Sequence, residues 1–368
     1  MKITITTRIQ GSATVADPDP LLAAIPALFG FVPERSIVLM CFDARSQVTA
    51  TMRHDLLWTR GGRPPAALKK VFAQLGDLGA DYGTTNVIAV AVDDRFPPDH
   101  PAFTHLFREL NRALRPAGGV TAAFAVGDMS EGAPWRTVWR SATPFAMFPI
   151  DIAESGTLSD PQCSPVALAK AVEHGRGILR RRSEMTELLA PAPHCDDADA
   201  CHADASNRDH DLSTSTDADR LALVYETVLA RSGGRCASLP CARVHALADA
   251  LSSVHVRDAL LGLCLTVHRE AAEHVWLDLT RRLSGTPRAA AATLLGYLHY
   301  MEGSGAMASV AFEAAHASDP SYALANLLDT ALLNGMRPRD LDGLADLSFD
   351  LARRLGVQIP PATYRAAG

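Results

Sequence analysis

Residues 26–42 read Pro-Ala-Leu-Phe-Gly-Phe-Val-Pro-Glu-Arg-Ser-Ile-Val-Leu-Met-Cys-Phe, and this stretch decides the fold of the first half of the chain. Gly30 suits the left-handed position that follows a helix, and Pro33 blocks continuation of the helix. The uninterrupted apolar run at 36–42 is typical of a strand that is buried on both faces. The stretch therefore predicts a helix that ends at Gly30 and leads into a core strand.

Strands and helices alternate from this stretch to about residue 190. Continuous apolar runs at 87–92 and 120–126 predict two further strands that are buried on both faces. Hairpin partners follow the first and the last of these strands, and Trp135 and Trp139 are expected on one side of the last partner. Helical patterns cover 21–28, 65–78, 100–114 and 165–189. Elements of these lengths predict a layered α/β domain at 1–190 with a mixed sheet.

From Asp219 onward the sequence shows helical periodicity and no strand pattern. Short links that carry Gly or Pro predict an all-α domain of antiparallel hairpins at 220–368. One hairpin has the spacing of a tetratricopeptide unit, in which small residues let two helices cross closely. Its residues are Leu295, Gly296, Ala308, Phe312, Ala315 and Pro320. Neighbouring hairpins do not repeat the pattern, so ordinary core packing of helices is the alternative interpretation.

A strongly acidic segment, 191–219, separates the two predicted domains. Between His194 and Asp219 it carries eight Asp and one Arg, and its only aliphatic residue larger than Ala is Leu212. Such a segment buries too little apolar surface to offset the entropy of ordering, so we expect a flexible linker. Its charge accounts for the net charge of −6 of the whole chain and leaves the two domains together close to neutral.

Composition and missing motifs exclude several classes of protein. A mildly acidic total argues against general binding of nucleic acid or of a membrane surface, which would require an excess of Lys and Arg. No run of about 18 apolar residues predicts a transmembrane helix, and seven Cys in a chain with a full core indicate a reducing cytoplasm. The sequence has no glycine-rich nucleotide-binding loop and no Gly-x-Ser-x-Gly nucleophile elbow, and we expect no cofactor.

Charged residues directly follow three of the predicted strands, and these are Asp43, Asp93, Asp94, Arg95 and Asp128. Ligands of open α/β sheets gather at the carboxyl ends of strands, where clustered carboxylates could hold Mg²⁺ or share a proton. These residues are therefore the catalytic candidates, if Asp43, Asp93 and Asp128 converge. Asp is also a common turn residue, which is the structural alternative. The same rule argues against a catalytic role for the segment 26–38, because that segment precedes its strand.

A second candidate site consists of ligands that suit zinc, in and after the acidic segment. They are His194, Cys195, Cys201, His202, Cys236 and Cys241. Thiolates and imidazoles are the ligands that Zn²⁺ prefers, but the spacing lacks the two-residue knuckle of zinc sites. A flexible linker rich in His and Cys is the simpler interpretation, and no metal is predicted.

A third cluster is basic and consists of Arg176, Arg180, Arg181 and Arg182. It could bind an acidic partner, including the Asp-rich linker. A solvated face on which these arginines pair with nearby glutamates is the simpler interpretation.

Four stretches together resemble a known family. They are the run Leu-Leu-Ala-Ala-Ile-Pro-Ala-Leu-Phe-Gly-Phe-Val-Pro-Glu-Arg-Ser-Ile-Val from Leu21, the strand end Trp139-Arg140-Ser141, the run Val256-Arg257-Asp258-Ala259-Leu260-Leu261, and Gly303…Ala308…Asp319-Pro320-Ser321-Tyr322. Over residues 18 to about 340 the chain is similar to an uncharacterised, mainly actinobacterial family, domain of unknown function 4192. The resemblance implies no activity, cofactor or catalytic residue. Related sequences often carry a Cys-containing stretch where this chain has 142–148, so a shared role for that thiol does not extend to this protein.

Two functions fit these observations. The first is a cytoplasmic, non-catalytic protein whose helical half binds a protein partner, with the α/β half as a scaffold or a binder of a small ligand. The second is a hydrolase-type enzyme that uses carboxylates, or a metal held by them, at the ends of the strands. The two functions are distinguished by whether Asp43, Asp93 and Asp128 lie close together. The sequence does not determine the oligomeric state.

Overall fold

The computed structural model describes five ranges of the chain: 4–6, 17–142, 152–193, 215–232 and 239–364. The chain divides into two compact units, Met1–Glu184 and Met185–Gly368. The first unit is a mixed sheet with helices and the second is helical, which confirms the predicted fold class. Most of the predicted linker, 194–214, lies outside the described residues. Within the five ranges, no helix is long and apolar enough to cross a membrane.

The described residues as far as Leu188 form seven strands and five helices. The strands are β1 (Thr4–Thr6), β2 (Ser36–Phe42), β3 (Val48–Asp55), β4 (Asn86–Val92), β5 (Val120–Val126), β6 (Pro134–Arg140) and β7 (Ser155–Thr157). The helices are α1 (Asp19–Phe29), α2 (Ala66–Asp81), α3 (Pro101–Ala113), α4 (Pro165–His174) and α5 (Arg182–Leu188). Gly30 caps α1 in the left-handed conformation at φ 78°, as its sequence predicts.

The direction of β2 determines which charged residues come together. The sheet has the order β1-β3-β2-β4-β5-β6-β7. Among the described strands, only β4 and β5 are parallel neighbours, with Val92 opposite Val126. Because β2 runs antiparallel to β4, Ser36 lies opposite Val92 and Phe42 lies opposite Asn86. The start of β2 therefore shares one end of the sheet with the carboxyl ends of β4 and β5.

Helices α2 and α3 cover one face of the sheet. Phe72 of α2 and Phe107 of α3 are fully buried in the same core as Ile37 and Leu39 of β2. Every residue of β2 is buried, on both faces, which is why its sequence is continuously apolar. The sheet is thus a rigid support for the residues at its ends.

The helix expected at 165–189 is broken in two. α4 ends at His174 because Gly175 takes the left-handed conformation at φ 63° and caps it. Leu179 then forms two backbone hydrogen bonds with the link between α1 and β2. Its N–H donates to the carbonyl of Gly30 and its carbonyl accepts from the N–H of Val32, both at 2.9 Å. The chain between α4 and α5 therefore runs beside the segment that leads into β2.

Trp135 and Trp139 lie on opposite faces of β6, and the expectation of one side is wrong. The pairing of β5 with β6 shifts by one residue, since Ala123 is opposite Trp139 and Phe124 is opposite Thr137. This bulge adds a residue to β6 and reverses the direction of its side chains. Trp135 packs edge-on against Phe124 with ring centroids 6.1 Å apart, whereas Trp139 packs into the core under α2 and α3.

The second unit is built from eight helices among its residues described after 214. They are α6 (Asp217–Ser232), α7 (Cys241–Ser252), α8 (Val254–Leu260), α9 (Arg269–Arg282), α10 (Gly285–Met301), α11 (Gly305–Ser318), α12 (Ala323–Leu333) and α13 (Asp342–Arg354). Short 3₁₀ turns at Leu261–Leu265 and Pro338–Leu341 precede α9 and α13. α10 packs directly on α11 at Gly296, where an added Cβ would lie 2.5 Å from the ring of Phe312.

Candidate functional site

One end of the sheet in the first unit is lined with charged side chains, and we call it the charged sheet end. It consists of Arg35, Arg53, Asp55, Asp93, Asp94 and Arg95. These residues meet because β2 starts at this end while β3 and β4 finish there, with Ser36 opposite both Asp55 and Val92.

Asp43 lies at the other end of the sheet, so the expected convergence of Asp43, Asp93 and Asp128 is wrong. Asp43 follows β2, whose carboxyl end is opposite the start of β4. Its Oδ1 accepts the backbone N–H groups of Arg45 at 2.8 Å and Gln47 at 2.9 Å. Asp43 thereby closes the turn between β2 and β3, which is the structural role of a turn aspartate.

Asp128 lies at the same end of the sheet as Asp93, because β4 and β5 are parallel. Its side chain is exposed and is bound within its own turn. The Oδ1 atom accepts the N–H of Ser130 at 2.8 Å and also the hydroxyl of that serine. This geometry is again that of a turn residue.

Asp93 is fully buried and fully hydrogen-bonded. Its Oδ1 accepts the N–H and the Nε–H of Arg95 at 3.0 and 2.8 Å, and its Oδ2 accepts from Arg95 Nη2 and Trp58 Nε1, both at 2.7 Å. Burial alone would raise the pKa of Asp93, but the hydrogen bonds from Arg95 and Trp58 outweigh burial and hold the pKa below its ordinary value. Arg95 Nη2 also donates to the carbonyl of Leu56 at 2.9 Å. Asp93 and Arg95 therefore tie β4 to the chain after β3.

Arg35 and Asp94 form a second, exposed ion pair at this end. Arg35 donates from Nε to Oδ1 at 2.7 Å and from Nη2 to Oδ2 at 3.0 Å, and this contact lowers the pKa of Asp94. Arg35 has a φ of 43°, a left-handed conformation that is unfavourable for a residue with a side chain. The part of the segment 26–38 around Arg35 and Ser36 thus lies at the charged sheet end. The positional argument against this segment is wrong because β2 is antiparallel to β4.

Arg53 is the most enclosed arginine of the charged sheet end, with a side chain that is 12% exposed. It donates to the hydroxyl of Ser36 at 2.9 Å, pairs with Asp55 at 2.6 Å and lies over the ring of Phe31. Burial lowers the pKa of Arg53, Asp55 opposes that effect, and the positive charge of Arg182 lowers the pKa further. The guanidinium is therefore paired with one carboxylate while the charge of a second arginine acts on it.

The link between α4 and α5 brings two more arginines to this place. The pairing of Leu179 with the segment before β2 carries the link past Glu34, which lies 3.5 Å from Arg181 Nε. Arg182 is close enough to Arg53 for its charge to act on that group. We call Arg53, Arg181 and Arg182 the arginine cluster. The basic run expected on a helix face instead lies mainly in this link.

The zinc hypothesis falls mostly on residues that the structure does not describe. His194, Cys195, Cys201, His202 and Cys236 lie outside the described residues. Cys241 is the first residue of α7. Across the described ranges, no group of three or more His, Cys, Asp or Glu side chains could hold a metal ion.

Arg53 and Trp58 were missed by sequence reasoning. The signal for Arg53 is the alternation along β3, in which Ala50 and Met52 point to one face. Arg53 therefore falls on the other face of a sheet predicted to be buried on both sides, where an arginine needs a partner. Trp58 lies after β3 in a loop that has no periodicity, and no sequence signal connects it with Asp93.

The fold and the site together define the class of protein. A mixed α/β unit, with charged residues at one end of its sheet, is followed by a helical unit. The chain belongs to the family described as domain of unknown function (DUF4192), whose model matches residues 18–339. No curated protein and no solved structure matches the chain.

Proposed function

We propose that this chain is a non-catalytic, cytoplasmic binding protein. Its α/β unit binds a small anionic ligand at the arginine cluster, and its helical unit binds a protein partner. The observation that carries the proposal is the enclosed guanidinium of Arg53, which pairs with a single, exposed carboxylate and on which the charge of Arg182 acts.

A carboxylate or phosphate group has the chemistry that this cluster lacks. Like charges repel, so an anion between Arg53 and Arg182 would relieve an unfavourable interaction and gain charge-assisted hydrogen bonds. Asp55 cannot supply this alone, because its side chain is 68% exposed and is strongly hydrated. The hydroxyl of Ser36 accepts from Arg53 and donates to the carbonyl of Glu34. It becomes a further donor to the anion once the contact with Glu34 breaks.

The alternative of carboxylate-based hydrolysis lacks a geometric basis. A general base or a metal ligand needs a free oxygen, but both oxygens of Asp93 are used by Arg95 and Trp58. Asp94 is held by Arg35, and Asp43 and Asp128 serve their own turns. The charge pattern of this end therefore favours binding over acid–base chemistry.

Two features of the helical unit support a protein partner. The hairpin of α10 and α11 has the residue spacing of a tetratricopeptide unit, a motif that presents helix faces to other proteins. Leu327 of α12 and Leu347 of α13 are apolar side chains that are 60% and 66% exposed. Apolar residues on a polar helix surface are common anchors of protein interfaces.

The cytoplasmic location rests on the state of the cysteines. Cys41, Cys163, Cys241 and Cys264 are free thiols. Burial raises the pKa of Cys41 to about 12, which keeps its thiol protonated and unreactive. Buried free thiols of this kind fit a reducing compartment.

The ligand proposal is tested by titration calorimetry of the full chain with inorganic phosphate and with citrate. We expect millimolar or tighter binding of at least one anion, and we expect Arg53→Met to abolish it. Arg108→Met is the matched control, because Arg108 is an exposed arginine of α3 far in sequence from the cluster. The proposal is wrong if neither anion binds, or if both variants bind equally well.

The partner proposal is tested by comparing the full chain with its Leu327→Asp and Leu347→Asp variants as baits. A specific partner should be captured by the unaltered chain and lost with at least one variant that remains folded. Identical sets of captured proteins for all three baits would contradict it.

A further inference from the structure

A histidine is completely buried between two helices of the helical unit. His299 lies in the last turn of α10, and its side chain is 0% exposed. Its Nε2 lies 3.6 Å from Oε1 of Glu273 in α9, and its Nδ1 lies 3.4 Å from Oε2 of Glu302, the residue that follows α10. Each nitrogen of the ring therefore lies within ion-pair distance of a different carboxylate.

Arg269, the first residue of α9, extends this arrangement to four groups. Its Nη1 donates to Oε1 of Glu302 at 2.6 Å. Arg269 and Glu273 are four residues apart and share one face of α9, while His299 and Glu302 are three residues apart at the end of α10. The arginine and the two glutamates are only 11–20% exposed. We call Glu273, His299, Glu302 and Arg269 the buried charge row.

The elements around the row contribute mainly neutral groups. The charges of Arg269 and Glu302 act on Cys264 of the turn Leu261–Leu265, whose thiol stays protonated because burial raises its pKa. The side chains that α7 and α11 bury most completely are apolar, with Leu247 and Phe312 among them, and His245 of α7 is half-buried. At the edge of the row, Arg269 lies over the ring of Tyr364, 4.8 Å from its centroid.

Charged residues of the other elements that pack on α10 take part in pairs of their own. These are Arg257 with Asp258 in α8, His316 of α11 with Asp329 of α12, and Arg337 with Asp340 at the turn before α13. The charge balance of the buried row therefore depends on the protonation of His299.

The row alternates in sign only when His299 is positively charged. A neutral imidazole has one N–H group and one nitrogen lone pair, so one of the two carboxylates would lie against a lone pair. An imidazolium has an N–H on each nitrogen and suits both carboxylates. With a neutral ring, two carboxylates are balanced by one guanidinium, whereas an imidazolium makes the row neutral. A buried charge is tolerated when it is paired, as the imidazolium is on two sides.

We propose that protonated His299 is a pH-sensitive latch between α9 and α10. While the ring is charged, it joins Glu273 of α9 to Glu302 at the end of α10. When the ring loses its proton, two carboxylates remain beside a neutral ring, and the contact between the two helices weakens. The latch lies in the helical unit and is independent of the arginine cluster.

The direction of the pH effect follows from linkage. The ordinary pKa of histidine is about 6.5, and a histidine that the folded chain keeps charged above this pH stabilises the fold. That contribution is complete below the ordinary value and is lost as the pH rises to the point where the folded chain releases the proton. The latch therefore holds in weakly acidic and neutral solution and opens in alkaline solution.

Nitrogen NMR of the full chain, isotopically labelled in histidine only, measures the charge of the ring directly. His299→Gln identifies the signals of His299 by their loss, and Glu273→Gln, which keeps the ring, identifies them by their displacement. At neutral pH we expect similar shifts for the two ring nitrogens, as in an imidazolium. Two widely different shifts, the pattern of a neutral ring, would overturn the proposal.

Glu273→Gln also tests the carboxylate of α9, because it removes the charge and keeps the shape of the side chain. A carboxylate within about 4–6 Å favours the charged form of its partner, so His299 of this variant should lose its proton at a pH lower by about 1 or more. Glu270→Gln is the matched control, since it removes the same charge from the same helix at an exposed position. It should leave the titration of His299 unchanged, and equal displacements in the two variants would contradict the assignment.

Hydrogen exchange measured by mass spectrometry tests the opening of the interface. After correction for the intrinsic exchange rate, the protection of α9 in the unaltered chain should fall several-fold from weakly acidic to alkaline pH. In His299→Gln, which has no such charge to lose, protection should be low at both pH values. His316→Gln removes another histidine–carboxylate pair of this unit and should retain the fall. The proposal is wrong if the protection of α9 in the unaltered chain does not change with pH, or if His299→Gln shows the same fall.

Discussion

Asp93 at the end of the sheet and Asp342 at the start of α13 are opposite cases of the same side chain. Asp93 is buried, yet four donor contacts from Arg95 and Trp58 hold its pKa below the ordinary value. Asp342 is exposed, yet its pKa is raised by burial of part of the group and by neighbouring carboxylates. Exposure alone does not tell which of the two is under electrostatic stress.

This difference distinguishes the polar groups that stabilise the fold from those that are available to a ligand. A polar group whose bonding capacity is filled by its own chain stabilises the fold and has little left for a ligand. Arg53 has one exposed carboxylate against it and the charge of a second arginine acting on it, and this is where we propose an anion. Substitutions should therefore affect stability at the first kind of group and binding at the second.

The largest effect on stability is expected at Asp93. Asp93→Asn should lower the free energy of unfolding of the α/β unit by about 3 kcal/mol, since the amide nitrogen that replaces one buried carboxylate oxygen cannot accept the hydrogen bonds from Arg95 and Trp58. Asp94→Asn, which breaks the exposed pair with Arg35, should cost less than about 1 kcal/mol. Urea denaturation followed by circular dichroism measures both. Equal losses in the two variants would remove the basis of the comparison.

A smaller loss of stability is expected when a single hydrogen-bonding group is removed. Trp58→Phe removes the donor to Asp93 and some packing, and should cost about 2 kcal/mol. Tyr297→Phe removes a hydroxyl that has no partner among the described residues and should cost nothing. Thermal denaturation of the two variants, side by side, gives the result. A lower melting temperature for Tyr297→Phe than for Trp58→Phe would reverse the predicted order.

Acidification should change the contributions of Asp93 and Asp342 to the free energy of unfolding in opposite directions. The pKa of Asp93 is below its ordinary 3.8 in the folded chain, so its contribution to stability is present above that value and is lost as the pH falls through the lowered pKa. The pKa of Asp342 is raised, so its charge costs stability at neutral pH and this cost disappears on acidification. Between about pH 5 and pH 2, Asp93→Asn should flatten the fall in unfolding free energy and Asp342→Asn should steepen it slightly. Parallel curves for both variants and the unaltered chain would contradict the assignment.

The smallest effect is expected for relief of like-charge repulsion on α13. Asp346→Asn should raise the free energy of unfolding by about 0.3 kcal/mol at neutral pH and low salt, the size of one like-charge pair on a helix. The gain should disappear at high salt, which screens exposed charges. Denaturation at two salt concentrations tests this, and a loss of stability at low salt would show that Asp346 has a favourable partner.

Local sequence patterns predicted most of the elements of this fold. The apolar runs of β2, β4 and β5 and the cap at Gly30 follow from residue spacing and backbone preference, which act over a few residues. The break at Gly175 was missed because the surrounding residues keep a helical pattern. The chain leaves the helix there because Leu179 pairs with the segment before β2, a tertiary contact. The bulge in β6 was missed because alternation assumes an unbroken ladder.

The candidate site depended on a relation that no local pattern contains. The hairpin β2–β3 could join the sheet in either direction, and its direction decides whether Arg35 or Asp43 lies beside Asp93. The rule about the carboxyl ends of strands holds for parallel strands, and it selected Asp43 wrongly because β2 is antiparallel to β4. Arg182 reaches Arg53 only through the pairing of Leu179 with the segment before β2, a contact between distant parts of the chain.

The central claim is that Arg53 contributes to a binding site for an anion, and linkage between anion binding and stability tests it most directly. Urea denaturation of the full chain and of Arg53→Met, each in increasing citrate at constant ionic strength, measures the stabilisation that the anion provides to the folded state. We expect the free energy of unfolding of the unaltered chain to rise with citrate, and that of Arg53→Met to stay constant. Equal rises in both, or no rise in the unaltered chain, would contradict the account.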